Sequence, residues 1–236
     1  MGCVGSAGEG VQSGMKQKTE PAMTDLKPQP PLPLDCLQRI DQLLAGGGRC
    51  LLGLVGAPGA GKSTLAAALQ QRLGMLAQVV PMDGFHLANV ELQRLGLADR
   101  KGAPETFDSA GYLALLRRLR DQGSGERVYA PEFRREIEEP VAGAIGVAPE
   151  TRLVITEGNY LLLDHGHWAD VAGLLDEVWY VEPDEPLRLQ RLLQRHMAFG
   201  RSEAAARDWI ASTDEPNARL IEASRHRADR VLNWND

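Results

Sequence analysis

Cysteine is scarce in this chain of 236 residues: Cys3, Cys36 and Cys50 are the full complement, and they form no metal-type cluster. That pattern excludes a disulfide-stapled scaffold and a zinc site, and it leads us to expect a reducing, cytoplasmic setting. Long apolar runs are missing too. None reaches the roughly 18 residues of a membrane span, and no signal-peptide apolar segment is present. Aromatic residues make up only 5% of the chain, so each one matters to a pocket or a core. Excess positive charge is also lacking. The net charge of −6 argues against a general nucleic-acid binder, so neither nucleic acid nor membrane is expected as a partner. Lysine is the rarest charged residue in the body of the chain: beyond residue 27 only Lys62 and Lys101 occur, and arginine serves elsewhere.

One of those two lysines stands in Gly56-Ala57-Pro58-Gly59-Ala60-Gly61-Lys62-Ser63, which fits G-x-x-x-x-G-K-[ST]. Its context agrees with the motif. Cys50–Val55 reads as a buried parallel strand, and 63–73 reads as a helix with Leu65, Leu69 and Leu73 on one face. Backbone N–H groups of the glycine loop and the positive end of the helix then surround a polyphosphate. Gly56 to Ser63 and Thr64 are the expected nucleotide-binding residues. Lys62 adds charge at the β- and γ-phosphates, and Ser63 can ligate Mg²⁺.

The first 33 residues are rich in Gly, Pro, Gln and Lys and are read as a disordered leader. Met1–Ser6 matches an N-acylation pattern, although Met15 and Met23 offer later starts and we read the match as incidental. Residues 34–236 are expected to form one domain. Further helices are read at 34–45, 89–95, 109–122, 185–198, 203–211 and 215–228, and strands at 77–82, 152–156, 177–182 and 230–234. Two prolines break 128–147 into a hairpin-like excursion. Strands alternating with helices predict an α/β fold: a three-layer α/β/α arrangement with a mostly parallel sheet.

In such a sheet, ligands bind beyond the carboxyl ends of the strands. Asp83 ends the second predicted strand and Glu157 ends the apolar run 153–156. Asp83 can position or deprotonate a hydroxyl, or it can be an ordinary Asp-Gly turn residue. Glu157 is placed to hold Mg²⁺ with Ser63, or to cap a turn. Arg100, Lys101 and Arg134 present positive charge where an acceptor would bind, unless they are simply solvated. His86 and Tyr129 are further candidates for the substrate wall. On the predicted helix 185–198, Arg188, Arg191 and Arg195 share one face, and Leu189, Leu192, Leu193 and His196 share another. His196 reads most simply as a packing residue.

These motifs follow the order P-loop, Asp83-Gly84-Phe85-His86, Arg100-Lys101-Gly102-x-Pro104-Glu105-x-x-Asp108, Tyr129-x-Pro131-x-Phe133-x-Arg135 and Glu157-Gly158-Asn159-Tyr160-Leu161-Leu162. Over about residues 45–234 the chain thereby resembles the uridine kinase / phosphoribulokinase / bacterial pantothenate kinase group. Within that group it is most similar to proteins labelled nucleoside/nucleotide kinase-like or fructose-transport-system kinase-like. The resemblance implies a P-loop NTPase fold of the kinase type. It implies ATP and Mg²⁺ as cofactors and a small-molecule hydroxyl as acceptor: a nucleoside, a pantothenate-like acid or a sugar. It also implies that Asp83 is the base and Glu157 the acid on the magnesium side. The segment 195–212 resembles the helical lid of small P-loop kinases, with Arg195 and Arg201 closing over the γ-phosphate. Related kinases assemble as dimers or tetramers, which leaves room for a homodimer. The rival reading is a regulatory P-loop ATPase acting through a protein partner. The Asn-Lys-x-Asp stretch of guanine-specific switches is absent.

Overall fold

The computed structural model describes Gly2 and residues 31–235. The expected leader and the acylation pattern otherwise lie outside the described residues. Leu32, assigned to the leader by composition, packs against a core cluster.

In chain order the elements are α1 (Leu34–Ala45), β1 (Cys50–Val55), α2 (Lys62–Leu73), β2 (Ala77–Val79), α3 (Asn89–Leu95), α4 (Ser109–Arg120), β3 (Val128–Arg134), β4 (Glu139–Val147), β5 (Leu153–Gly158), β6 (Glu177–Glu182), α5 (Glu185–Ala198), α6 (Glu203–Trp209), α7 (Glu215–Ala223) and β7 (Arg230–Asn233). Five strands form a wholly parallel sheet in the order β2-β5-β1-β6-β7. β3 and β4 pair antiparallel as a separate hairpin.

The period-two geometry of strands sorts the core into two clusters. Leu51 and Val55 of β1, Val154 of β5, and Val178 and Tyr180 of β6 join α4 on one face. Leu52 and Leu54, Leu153 and Ile155, and Trp179 and Val181 join α1 and α2 on the other. Both faces are covered, so these strands are almost continuously apolar, as expected of a buried parallel sheet. The three-layer α/β/α P-loop architecture read from the sequence is the one observed.

Several boundaries differ from the expected ones, each for a local reason. β2 stops at Val79 rather than residue 82, because Pro81 has no N–H for the ladder and Met82–Phe85 turns as a 3₁₀ helix. The loop 100–108 is entered by a 3₁₀ turn, Ala98–Arg100, and contains another at Pro104–Thr106. Glu157 lies within β5, one residue before its end. Helices α6 and α7 are not separated by a break. They run together through a π-helical turn, Ile210–Asp214, of the kind that often marks functional sites.

Candidate active site

The P-loop backbone can take its shape because three of its residues have no Cβ, two of them in the left-handed region. Gly59 and Gly61 sit at φ +82° and +88°, in the left-handed region, and a Cβ on Gly59 would meet the Arg188 carbonyl oxygen at 2.8 Å. The loop connects β1 directly to the N-terminus of α2, so its amides and the helix dipole face the same space.

Lys62 folds back over the loop. Its Nζ donates to the carbonyls of Gly56 (2.8 Å) and Ala57 (3.1 Å) and to Asn159 Oδ1 (2.8 Å). Burial lowers its pKa to about 8, despite the opposing pull of Glu157 and Asp83. Asn159 follows β5 and was missed as a site residue. Its place directly after Glu157-Gly158 was the available signal. Ser63 Oγ donates to Glu157 Oε1 at 2.9 Å. Glu157 is buried, which raises its pKa. Asp83 pushes in the same direction, while Lys62 and the Ser63 hydroxyl oppose it. Among the described residues no group of three or more His, Cys, Asp and Glu gathers to hold a metal. The oxygen pair Ser63–Glu157 instead suits an ion that keeps most of its ligands from phosphate and water, as Mg²⁺ does.

Asp83 lies on the 3₁₀ turn after β2, which is pinned between two elements. A Cβ on Gly84 would strike the Pro131 carbonyl oxygen at 2.3 Å, so only glycine lets the β3–β4 hairpin approach this closely. The Asp83 carbonyl accepts from His86 N at 3.2 Å and lies 2.8 Å from His86 Nδ1. The His86 ring packs between Phe107 (4.0 Å between centroids) and Phe133 (4.7 Å). Burial holds the imidazole below its ordinary pKa, against the pull of Asp83. This favours the neutral ring, with Nδ1–H directed to the Asp83 carbonyl.

A cavity of about 960 Å³ runs from the P-loop across this wall. It gathers Pro58 to Thr64, Asp83, His86, Lys101, Glu157, Arg195 and Arg201 from the residues expected in the site. Gly56 and Ala57 do not line it but hold Lys62 through their carbonyls, and three expected substrate residues lie elsewhere. Arg100 is exposed and pairs with Glu105 at 2.5 Å. Arg134 is exposed and pairs with Glu132 and Glu136. Tyr129 is 57% exposed and lines no part of the cavity. A register shift between Ala130 and Glu132 accounts for the last two. Before the bulge Val128 and Ala130 face inward; after it Phe133 and Arg135 line the cavity, so the inward set changes from even to odd. Arg135 therefore takes the position expected of Arg134.

The arginine face of α5 turns inward rather than to solvent. Arg188 is 4% exposed, pairs with Glu185 and Glu215, and donates Nη1 to the Pro58 carbonyl at 3.2 Å. Arg195 lines the cavity near the P-loop, and burial lowers its pKa. Arg201 lies over the Trp209 ring at 3.9 Å. His196 also lines the cavity, with Nε2 2.7 Å from Asp214 Oδ2, so it is not merely a packing residue. Its partner lies in the π-helical turn.

The profile of the phosphoribulokinase / uridine kinase family matches residues 51–234. A Schizosaccharomyces pombe protein whose name proposes a uridine kinase is 35% identical over 205 residues, covering 82% of this chain and 87% of that protein. The crystal structure of a Silicibacter protein, described there as a candidate fructose transport system kinase, is 42% identical, with a TM-score of 0.77 and coverage of 86% of this chain and 100% of that one. At the level of fold alone, Saccharomyces cerevisiae YFH7 superposes with a TM-score of 0.72 at 21% identity, over 86% of this chain and 98% of YFH7.

Proposed function

The chain belongs to the phosphoribulokinase / uridine kinase family, and from that premise we propose that it moves the γ-phosphate of ATP to a hydroxyl of a nucleoside, a pantothenate-like acid or a sugar. The observation that carries this reading is the convergence of Lys62, Glu157 and Asp83 on one cavity. The first two are tied to the P-loop and β5, and the third faces them from the turn after β2. A cavity of about 960 Å³ leaves room for a nucleotide and a small acceptor.

In this reading the acceptor oxygen attacks the γ-phosphorus while Asp83 orients the hydroxyl and takes its proton. The bond from the γ-phosphorus to the oxygen shared with the β-phosphate breaks, and ADP leaves with that electron pair. Lys62 and the loop amides hold the β- and γ-phosphates. Arg195 and Arg201 spread the charge that develops on the transferring group. Ser63 and Glu157 would hold Mg²⁺, which when bound neutralises charge on the β- and γ-phosphates. The reaction needs positioning and fixed charge more than covalent help, and these residues supply both.

The experiment is Asp83→Asn. Acceptor phosphorylation is expected to fall by about 10²–10⁴-fold, with ATP affinity little changed. Wild-type turnover in that variant would refute the role given to Asp83.

A further inference from the structure

The nature of the acceptor is written in the charges on its side of the cavity. This inference rests on the kinase reading above. Although the chain carries a net charge of −6, its cavity is lined by six cationic side chains against four carboxylates. Lys62 belongs to the P-loop. Lys101 and Arg135 stand near His86, Arg135 beside Asp83 and within electrostatic reach of Arg195 and Glu157.

These two cations share a ring. Lys101 Nζ lies over Phe133 at 5.2 Å from its centroid, and the Arg135 guanidinium carbon at 5.8 Å. Both hydrogen bonds of Lys101 go to uncharged oxygens, Asn89 Oδ1 at 2.6 Å and the Glu138 carbonyl at 2.5 Å. The carboxylate of neighbouring Glu139 accepts from the backbone N–H of Asn89. Lys101 is thus braced in place with no carboxylate bonded to it, although Glu138 and Glu139 attract its charge from nearby. Glu138, which braces it, is the one non-glycine residue with positive φ among the described residues (+53°). It ends the turn that joins β3 to β4, where a left-handed residue is usual.

Arg135 has a carboxylate partner, but a loose one. Its Nη2 stands 3.4 Å from Asp83 Oδ2, with both side chains partly exposed, at 43% and 32%. Charge-assisted bonds of full strength run about 2.7–2.9 Å, and exposed pairs contribute little. The contact nevertheless occupies one of the two carboxylate oxygens that Asp83 offers to an acceptor hydroxyl.

We propose that the acceptor carries an anionic group, a carboxylate or a phosphate, which Lys101 and Arg135 receive over the Phe133 ring, and that its arrival draws Arg135 off Asp83. An acceptor without the anion leaves Arg135 on Asp83 and is used poorly. Arg135 then selects the acceptor and also frees the oxygen that handles its hydroxyl.

The test incubates the purified protein with ATP and a small-molecule cell extract, and mass spectrometry identifies the compounds that gain a phosphate. The acceptor found is then compared with its anion-free analogue, an amide for a carboxylate or the dephosphorylated alcohol for a phosphate, which separates the two sources. The expected acceptor is anionic, and its analogue loses about 10- to 100-fold in kcat/KM. Arg135→Gln raises the KM for the anionic acceptor by a similar factor and abolishes the preference over the analogue; Arg135→Lys restores part of it. A neutral acceptor, or an Arg135→Gln variant that loses equally on both compounds, overturns the inference and leaves the kinase reading standing. ADP formation with no phosphorylated compound overturns the kinase reading, and this inference with it.

Discussion

Ser63 donates its hydroxyl hydrogen to Glu157 Oε1 at 2.9 Å, joining the first turn of α2 to the end of β5. Glu157→Gln keeps an acceptor for that hydroxyl and removes the charge. The Mg²⁺ concentration for half-maximal activity should rise about 10- to 100-fold. A magnesium titration checks this. An unchanged midpoint in a variant that merely melts earlier would make Glu157 a structural acid.

Arg188 reaches the Pro58 carbonyl at 3.2 Å and binds Glu185 and Glu215, so one buried guanidinium ties the P-loop to α5 and α7. Arg188→Met removes the cation from its carboxylates. Both carboxylates keep some access to water, at 61% and 30% exposure, so the cost should fall below that of a fully buried pair, at about 2–3 kcal/mol. Urea unfolding measures it. The KM for ATP should rise as well, because the loop loses its brace.

The P-loop, the sheet and the helix spans were legible because each announces itself locally: a fixed spacing, a run of buried apolar residues, a 3.6-residue period. The substrate wall was less so. Tyr129 and Arg134 were chosen from the hairpin, yet the bulge between Ala130 and Glu132 reverses which side chains face inward; Pro131 at that point and Arg135 at the end of the motif were the available signals. Arg188 read as one member of a charged helix face. Its partner Glu215 lies 27 residues away, and only the folded chain brings the two together.

Arg195 is half-buried in the cavity wall near Lys62, and burial lowers its pKa, whereas Arg201 is exposed and stacks on Trp209. Arg195→Ala should therefore lose about 10³-fold in kcat, and Arg201→Ala distinctly less. Steady-state kinetics on both variants decide the order. Equal losses would contradict the difference in placement.

His86 has its pKa lowered, first by burial. As the pH falls through the ordinary value near 6.5, the unfolded chain takes up a proton at this position that the folded chain refuses. His86 therefore contributes a loss of stability from about pH 6.5 downward, and none above it. Urea midpoints at pH 7, 6 and 5 should fall more steeply for the wild type than for His86→Asn, which cannot titrate. Parallel slopes would contradict the shift.

Transfer of phosphate to a small-molecule hydroxyl fixes the ratio of products. Its most direct measurement is the yield of phosphorylated acceptor per ADP formed, using ATP labelled in the γ-phosphate. Transfer predicts one labelled acceptor for each ADP, with little free phosphate. ADP and free labelled phosphate in equal amounts, with no labelled acceptor, would contradict it and point to an ATPase acting through a protein partner.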